Sequence, residues 1–128
     1  AMRTWGTEKA GFELDAVHQR GGALMLGIWL GHKSYFDYAN KEQTAKQAAM
    51  VRGEVQKFKD HPGLLMWGLG NEMEINNDTP ELWLHIEELC KIVKSIDPNH
   101  PTVTVVADIT DQKIANINKY CPSLDILG

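Results

Sequence analysis

LLMWGLGNEMEINND, residues 64–78, is the stretch whose reading decides the fold. Leu64–Gly70 is a short, continuous apolar run mixing bulky and small residues, as expected of a strand covered on both faces. It ends abruptly in Asn71-Glu72. Strand residues alternate faces, so Gly68, Gly70 and Glu72 share one side, and Leu65, Trp67, Leu69 and Asn71 the other. Small residues suit the crowded inside of a barrel, and large ones suit the face beneath helices. Alternation therefore predicts Glu72 inward at the mouth and Trp67 in the core.

Similar elements flank this strand. Met2–Trp5 is a short apolar segment. Thr7 is expected to cap a helix with Ala10, Leu14, Val17 and His18 on one face, ended by Gly21-Gly22. Ala23–Leu30 is a second buried strand, followed by a polar loop and a helix over about 42–59. Asp78-Thr79-Pro80-Glu81 supplies a cap and an early helical proline. Leu82, Ile86, Leu89, Cys90 and Val93 then form a stripe at helical spacing. Val103–Ala107 reads as a strand, 111–120 as a weaker helix and Leu124–Leu127 as a last strand. The order β-α-β-α-β-α-β-α-β implies parallel strands with right-handed helical crossovers. An open doubly wound sheet and part of an eight-stranded α/β barrel both fit this order. A complete barrel takes about 250 residues, and the chain has 128.

Composition narrows the function classes. The net charge of −4 gives no basic footprint for nucleic acid. No apolar run approaches the roughly 20 residues that span a membrane. The N-terminus carries no basic-then-apolar export signal, and cellular location stays open. The two cysteines, Cys90 and Cys121, match neither a metal spacing nor a disulfide framework and are read as free thiols. His18, His61, His85 and His100 lie on helices or loops without metal-ligand spacing, so neither a metal nor a cofactor is expected.

Both candidate architectures place active sites at the C-terminal strand ends. The tips offer Arg3, Trp5, Trp29, His32, Asn71 and Glu72. An acid can protonate a glycosidic oxygen, an amide can bond a sugar hydroxyl, and aromatic rings can stack on a sugar face. Glu74, two residues beyond Glu72, is expected to be solvated.

The stretches MRTWGTE (2–8), LMLGIWLGH (24–32), FKDHPGLLMWGLGNEME (58–74), IDPNHPTVTVV (96–106) and LDILG (124–128) resemble the barrel domain of clan-A glycoside hydrolases, closest to family 2-like and cellulase-like members. The resemblance covers nearly the whole chain in order. It implies an α/β fold: a partial (β/α)8 TIM barrel of about five parallel strands and four helices, forming one domain over residues 1–128. It implies Glu72 as general acid/base, Asn71 as ligand of the sugar 2-hydroxyl, and Arg3 as the arginine that supports the nucleophile. Trp5, Trp29 and His32 would contact the β-linked carbohydrate.

By the same alignment the chain runs from barrel strand 2 to strand 6, and the nucleophile's strand 7 is absent. Retaining hydrolysis needs two carboxyl groups about 5–5.5 Å apart. Later carboxylates are helical, such as Glu87 and Glu88, or isolated, such as Asp108 and Asp125. The expectation is a fragment of a retaining β-glycoside hydrolase, inactive alone, that self-associates through open strand edges or its exposed inner face. The alternative is a small carbohydrate-binding or doubly wound α/β binding module completed by self-association. The latter lacks the Gly-rich turn of a nucleotide site.

Overall fold

A computed structural model describes residues 1–128. The elements run β1 (Met2–Arg3), α1 (Ala10–His18), β2 (Leu24–Ile28), α2 (Lys41–Phe58), β3 (Leu64–Asn71), α3 (Pro80–Ile96), β4 (Thr102–Val105), α4 (Asp111–Tyr120) and β5 (Ile126–Leu127). The strands form one sheet in the order β1-β2-β3-β4-β5, and every pairing is parallel. Sequential order is that of a barrel wall; a doubly wound sheet shuffles it. This is an α/β partial TIM barrel.

The helices begin where side chains satisfy orphan backbone donors. The Asn40 side chain accepts from the Glu42 and Gln43 amides, Thr79 caps α3 with Pro80 in its first turn, and Thr110 caps α4. α1 differs from expectation. Thr7 offers only its carbonyl, to the Ala10 amide at 3.1 Å, and the cap position falls to Lys9 with no side-chain bond. α1 ends as expected: Gly21 takes φ +70° and the Gly22 amide reaches back to the Val17 carbonyl. His18 is exposed and does not share the buried face of Ala10, Leu14 and Val17.

The core lies between the helices and one face of the sheet. Leu24, Leu26, Ile28, Trp67 and Leu69 meet Leu14, Val51, Val55, Ile86, Leu89 and Val93, all buried. Trp67 and Trp83 are the largest fully buried side chains. Burying a side chain of this size contributes about 1.5–3 kcal/mol or more. Cys90 and Cys121 are free and buried. His85 is buried against Gln47, its Nε2 3.0 Å from Oε1, and burial holds its imidazole below the ordinary value despite Glu88.

Two register shifts interrupt the alternation of β3. Leu24 pairs with Leu64 but Met25 with Met66, so Leu65 is surplus. Leu65 therefore leaves the Trp67 side, where Leu64 replaces it, and stands 37% exposed. On the other flank, Gly68 pairs with Val103 and Asn71 with Val105, three steps against two. Leu69 keeps its register with Ile28, so the surplus here falls at Gly70, which adopts φ +76°. A bulge built on a left-handed glycine changes which way the following residues point.

Trp67 also carries the main polar anchor of the core. Its indole Nε1 donates to Asp97 Oδ2 at 2.8 Å, and Asp97 also accepts from the Asn99 and His100 amides and from His100 Nδ1. Burial works against the Asp97 carboxylate, but the bonds from Trp67, His100 and Asn99 outweigh it and lower its pKa. A depressed carboxyl stabilises the fold above its unfolded value and loses that contribution as pH falls towards the folded value. Asp97→Asn should therefore cost about 2 kcal/mol or more at pH 7 in urea unfolding. The gap to the unsubstituted chain should narrow as pH drops below about 3.9. A gap independent of pH would show that the charge contributes nothing.

Candidate functional site

The C-terminal strand tips carry the candidate residues, and β3 presents the central ones. In a parallel ladder, registered partners share a face, so Asn71, opposite Val105, lies on the side of Gly68 and Val103. Strict alternation predicts it on the Trp67 side; the surplus residue at Gly70 is why it is not there. Glu72 follows with φ 54°, a left-handed conformation rare for a residue with a side chain. Its amide donates to the Val105 carbonyl at 2.8 Å. Holding a non-glycine residue there costs about 1–2 kcal/mol, which the surrounding bonds must offset. Backbone strain of this kind clusters at functional sites.

Glu72 and Asn71 are both half-buried. None of the ion pairs in the molecule engages the Glu72 carboxylate. Asn71 Oδ1 is buried without a hydrogen-bond partner, and so is His32 Nε2 beyond the tip of the adjoining β2. Buried polar atoms are ordinarily satisfied, so two orphans beyond neighbouring strands mark positions that water or a ligand hydroxyl can fill. A cleft of about 350 Å³ opens between the two loops, lined by His32, Lys33, Ser34, Ile75 and Asn76.

Aromatic rings border this region. Trp29 stacks on His32, with centroids 5.0 Å apart and planes at 23°. Its Nε1 donates to the Tyr35 hydroxyl at 2.7 Å, which fixes an indole that is 40% exposed. Tyr35 is a residue the sequence reading missed; an exposed tyrosine in a polar loop carries no periodic signal. Over β1, the Arg3 guanidinium lies 5.9 Å from the centroid of the Trp5 ring. Arg3 pairs with Met25 in register, and both it and Trp5 are exposed. Gly27 admits the chain after β1: a Cβ there would run into the Thr4 carbonyl, and the Gly27 amide donates to Thr4 Oγ1 at 3.0 Å.

Glu74 contradicts its expected solvation. It is 4% exposed, and its Oε1 accepts from the Ala107 amide at 2.7 Å and from Lys113 Nζ at 3.0 Å. Its other oxygen is buried and unpartnered. Lys113 also donates to the Asp108 carbonyl at 2.9 Å and pairs with the Asp108 carboxylate. Burial opposes the ammonium charge, but the bonds and charges of Asp108 and Glu74 outweigh it and raise its pKa. The signal for Lys113 was present in the sequence: it precedes Ile117 by four residues, on the buried stripe of α4. No group of three or more His, Cys, Asp or Glu side chains is placed to hold a metal ion, and no helix is long and apolar enough to cross a membrane.

The fold on which these tips stand is a partial α/β barrel wall of five parallel strands in sequential order. The model of the family described as "Glycosyl hydrolases family 2, TIM barrel domain" matches residues 16–123, and the chain belongs to that family. Mannan endo-1,4-beta-mannosidase F of Aspergillus clavatus is 28% identical over 68 residues, covering 52% of this chain and 16% of that protein. The beta-galactosidase from the psychrophilic Marinomonas ef1 superposes with a TM-score of 0.73 at 11% identity, over 95% of this chain and 32% of that one. A glycosyl hydrolase family 2 member from Bacteroides cellulosilyticus gives a TM-score of 0.68 at 27% identity, over 89% and 14%. The chain thus spans less than a third of the length of each.

The backbone at Glu72 makes a measurable prediction. Glycine adopts positive φ without the steric cost, so Glu72→Gly should stabilise the chain by about 1 kcal/mol in urea unfolding. Glu72→Ala, which keeps a Cβ, should bring no such gain. Equal effects of the two substitutions would mean that Glu72 stores no strain.

Proposed function

We propose that residues 1–128 form a partial-barrel domain of a retaining β-glycoside hydrolase in which Glu72 is the general acid/base. The observation that carries this reading is the strained, half-buried Glu72 at the tip of β3, beside an Asn71 whose Oδ1 is buried and unpartnered. As an acid, Glu72 donates its proton to the glycosidic oxygen as the bond to the anomeric carbon breaks. As a carboxylate it then takes a proton from the water that attacks the glycosyl intermediate. Asn71 bonds the sugar 2-hydroxyl, His32 takes a further hydroxyl, and Trp29 and Trp5 stack on sugar faces. Arg3 supports the nucleophile. No metal or other cofactor enters this scheme.

The nucleophile lies outside these residues. Glu74 and Asp108, beyond the tips of β3 and β4, are engaged with Lys113, and Asp125, which precedes β5, with Lys94 and Thr102. Hydrolysis therefore needs a second carboxylate from further barrel strands, and the 128-residue chain is inactive alone. In an enzyme that contains this domain and those strands, Glu72→Gln should slow cleavage of glycosides with poor leaving groups by about 10²–10⁴-fold. Glycosylation by aryl glycosides with good leaving groups should suffer far less. Equal losses on both, or clear turnover by the isolated chain, would overturn the assignment.

Self-association belongs to the same reading. β1 and β5 each pair on one side only, leaving edge backbone groups that recruit other strands. Along β1 runs a cavity of about 800 Å³, whose lining includes Met2, Trp5 and Phe12. These three side chains are all at least 60% exposed. At about 25 cal/mol per Å², covering ~1,000 Å² of apolar surface offers on the order of 25 kcal/mol before association costs. A second copy of the chain is the proposed occupant. Sedimentation across a dilution series should show a dimer or larger species that dissociates on dilution. A well-folded monomer at all micromolar concentrations would rule this out.

A further inference from the structure

We propose that Lys113 and Glu74 are positioning residues for Glu72, forming a latch that holds the β3–α3 loop against the end of β4 and the start of α4. The inference rests on the acid/base reading for its functional meaning, though the latch itself is a matter of geometry. Beyond the pairing of Asn71 with Val105, the ladder between β3 and β4 is continued by other means. The Glu72 amide still finds a strand acceptor, the Val105 carbonyl. Two residues further along β4's exit, the Ala107 amide bonds instead to the Glu74 side chain. The Glu74 carboxylate thus stands in for a strand carbonyl. It is set there by Lys113, whose ammonium bridges Glu74, the Asp108 carbonyl and the Asp108 carboxylate.

The latch closes a short circuit around Glu72. The Glu72 carbonyl accepts from the Ile75 amide at 3.4 Å, and the Glu74 carbonyl from the Asn77 amide at 2.8 Å. Met73, between the two glutamates, is buried at 1% exposure against Gly70. The residues on either side of Glu72 are thus pinned: Asn71 by the ladder, Met73 by packing and Glu74 by charge. A left-handed residue persists only where its surroundings over-determine it. Of these pins, the ion pair is the one that links the loop to α4. Its side chains are 8% and 2% exposed, where an ionic bond is far less screened than at the surface.

The test uses the 128-residue chain and needs no turnover. Lys113→Met and Glu74→Met change the net charge in opposite directions, and each removes the side chain that makes the bonds between loop and α4. In each variant, NMR should show the positive-φ signature of Glu72, its backbone coupling and strong intraresidue amide–Hα contact, averaging towards that of a flexible loop. The Glu72 and Ala107 amides should exchange at least tenfold faster, while those of Trp67 and Leu24 keep their rates. Lys113→Arg should restore both readouts. A common loss from opposite charge changes excludes a simple field effect. An unchanged Glu72 signature in folded variants would overturn the proposal, as would acceleration spread evenly over all amides. If neither variant folds, amide exchange in the unsubstituted chain decides: Ala107 and Glu72 must open together, and independent opening refutes the latch. Because hydrolysis is not measured, a failed latch and a failed acid/base assignment give different results.

Discussion

The end of β3 depends on one surplus residue. Alternation lets only every second side chain of a strand face the inside of a barrel. An asparagine and a glutamate that are adjacent in sequence cannot both be delivered to one rim by a regular strand. At Gly70 the regular pattern ends: the extra step places Asn71 opposite Val105, and the left-handed conformation of Glu72 breaks the alternation beyond it. Glycine is favoured by the φ of +76°, and the absent Cβ leaves room for the end of the Met73 side chain. The geometry of the site and the packing beneath it are therefore the same constraint seen from two sides.

That bulge needs a rigid strand below it. Trp67, fully buried, fixes β3 to the loop after α3 through Asp97, and the Thr104 hydroxyl bonds the Leu69 carbonyl at 2.7 Å across the neighbouring strand. Asp125 performs the same task one strand further on, accepting from the Thr102 amide and hydroxyl and pairing with Lys94. Glu87 on α3 accepts from the Ser123 amide and hydroxyl. Each is a carboxylate used as a structural clasp between consecutive β/α units. These clasps lie before β4 and β5 and on α3, whereas Glu72 stands at the C-terminal tip of β3 with no ion pair.

The architecture was legible in the sequence because its signals are periodic. Apolar runs, capping residues and the alternation of elements give five parallel strands in order, and the LLMWG-x-GNE stretch (residues 64–72) gives the family. What escaped was aperiodic. Leu65 and Asn71 were assigned to the Trp67 side because bulges have no hydrophobic signature, and each surplus residue inverts the pattern beyond it. Glu74 looked solvated because its partners lie 33 and 39 residues away and only the folded chain brings them together. Thr7 carries the right chemistry for a cap, but its backbone rather than its hydroxyl meets the helix. Of the candidate site, the identities of the tip residues were readable; which of them are fixed and which merely exposed was not.

That distinction separates the site into two halves. β3 lies in the middle of the sheet, bonded on both sides, and Glu72 is tied to β4 by its amide and Glu74 by its side chain. Trp29 is fixed by Tyr35 and His32. Arg3, by contrast, belongs to a two-residue edge strand and Trp5 follows it; both are exposed, and they meet each other only at cation–π distance. A central strand keeps its tip geometry whatever happens at the edges, because its bonds do not depend on closure. An edge strand is held on one side only and takes its final position from whatever pairs with its free edge. In the proposed reading, the group that handles the proton is thus preorganised within these residues. The arginine that supports the nucleophile stands on the strand most dependent on completion of the barrel. The two carboxylates of a retaining hydrolase must lie about 5–5.5 Å apart. The tolerance in that distance would then be set by the strands that pair beyond the free edge of β5, where the nucleophile's strand 7 follows, rather than by the strand that carries Glu72.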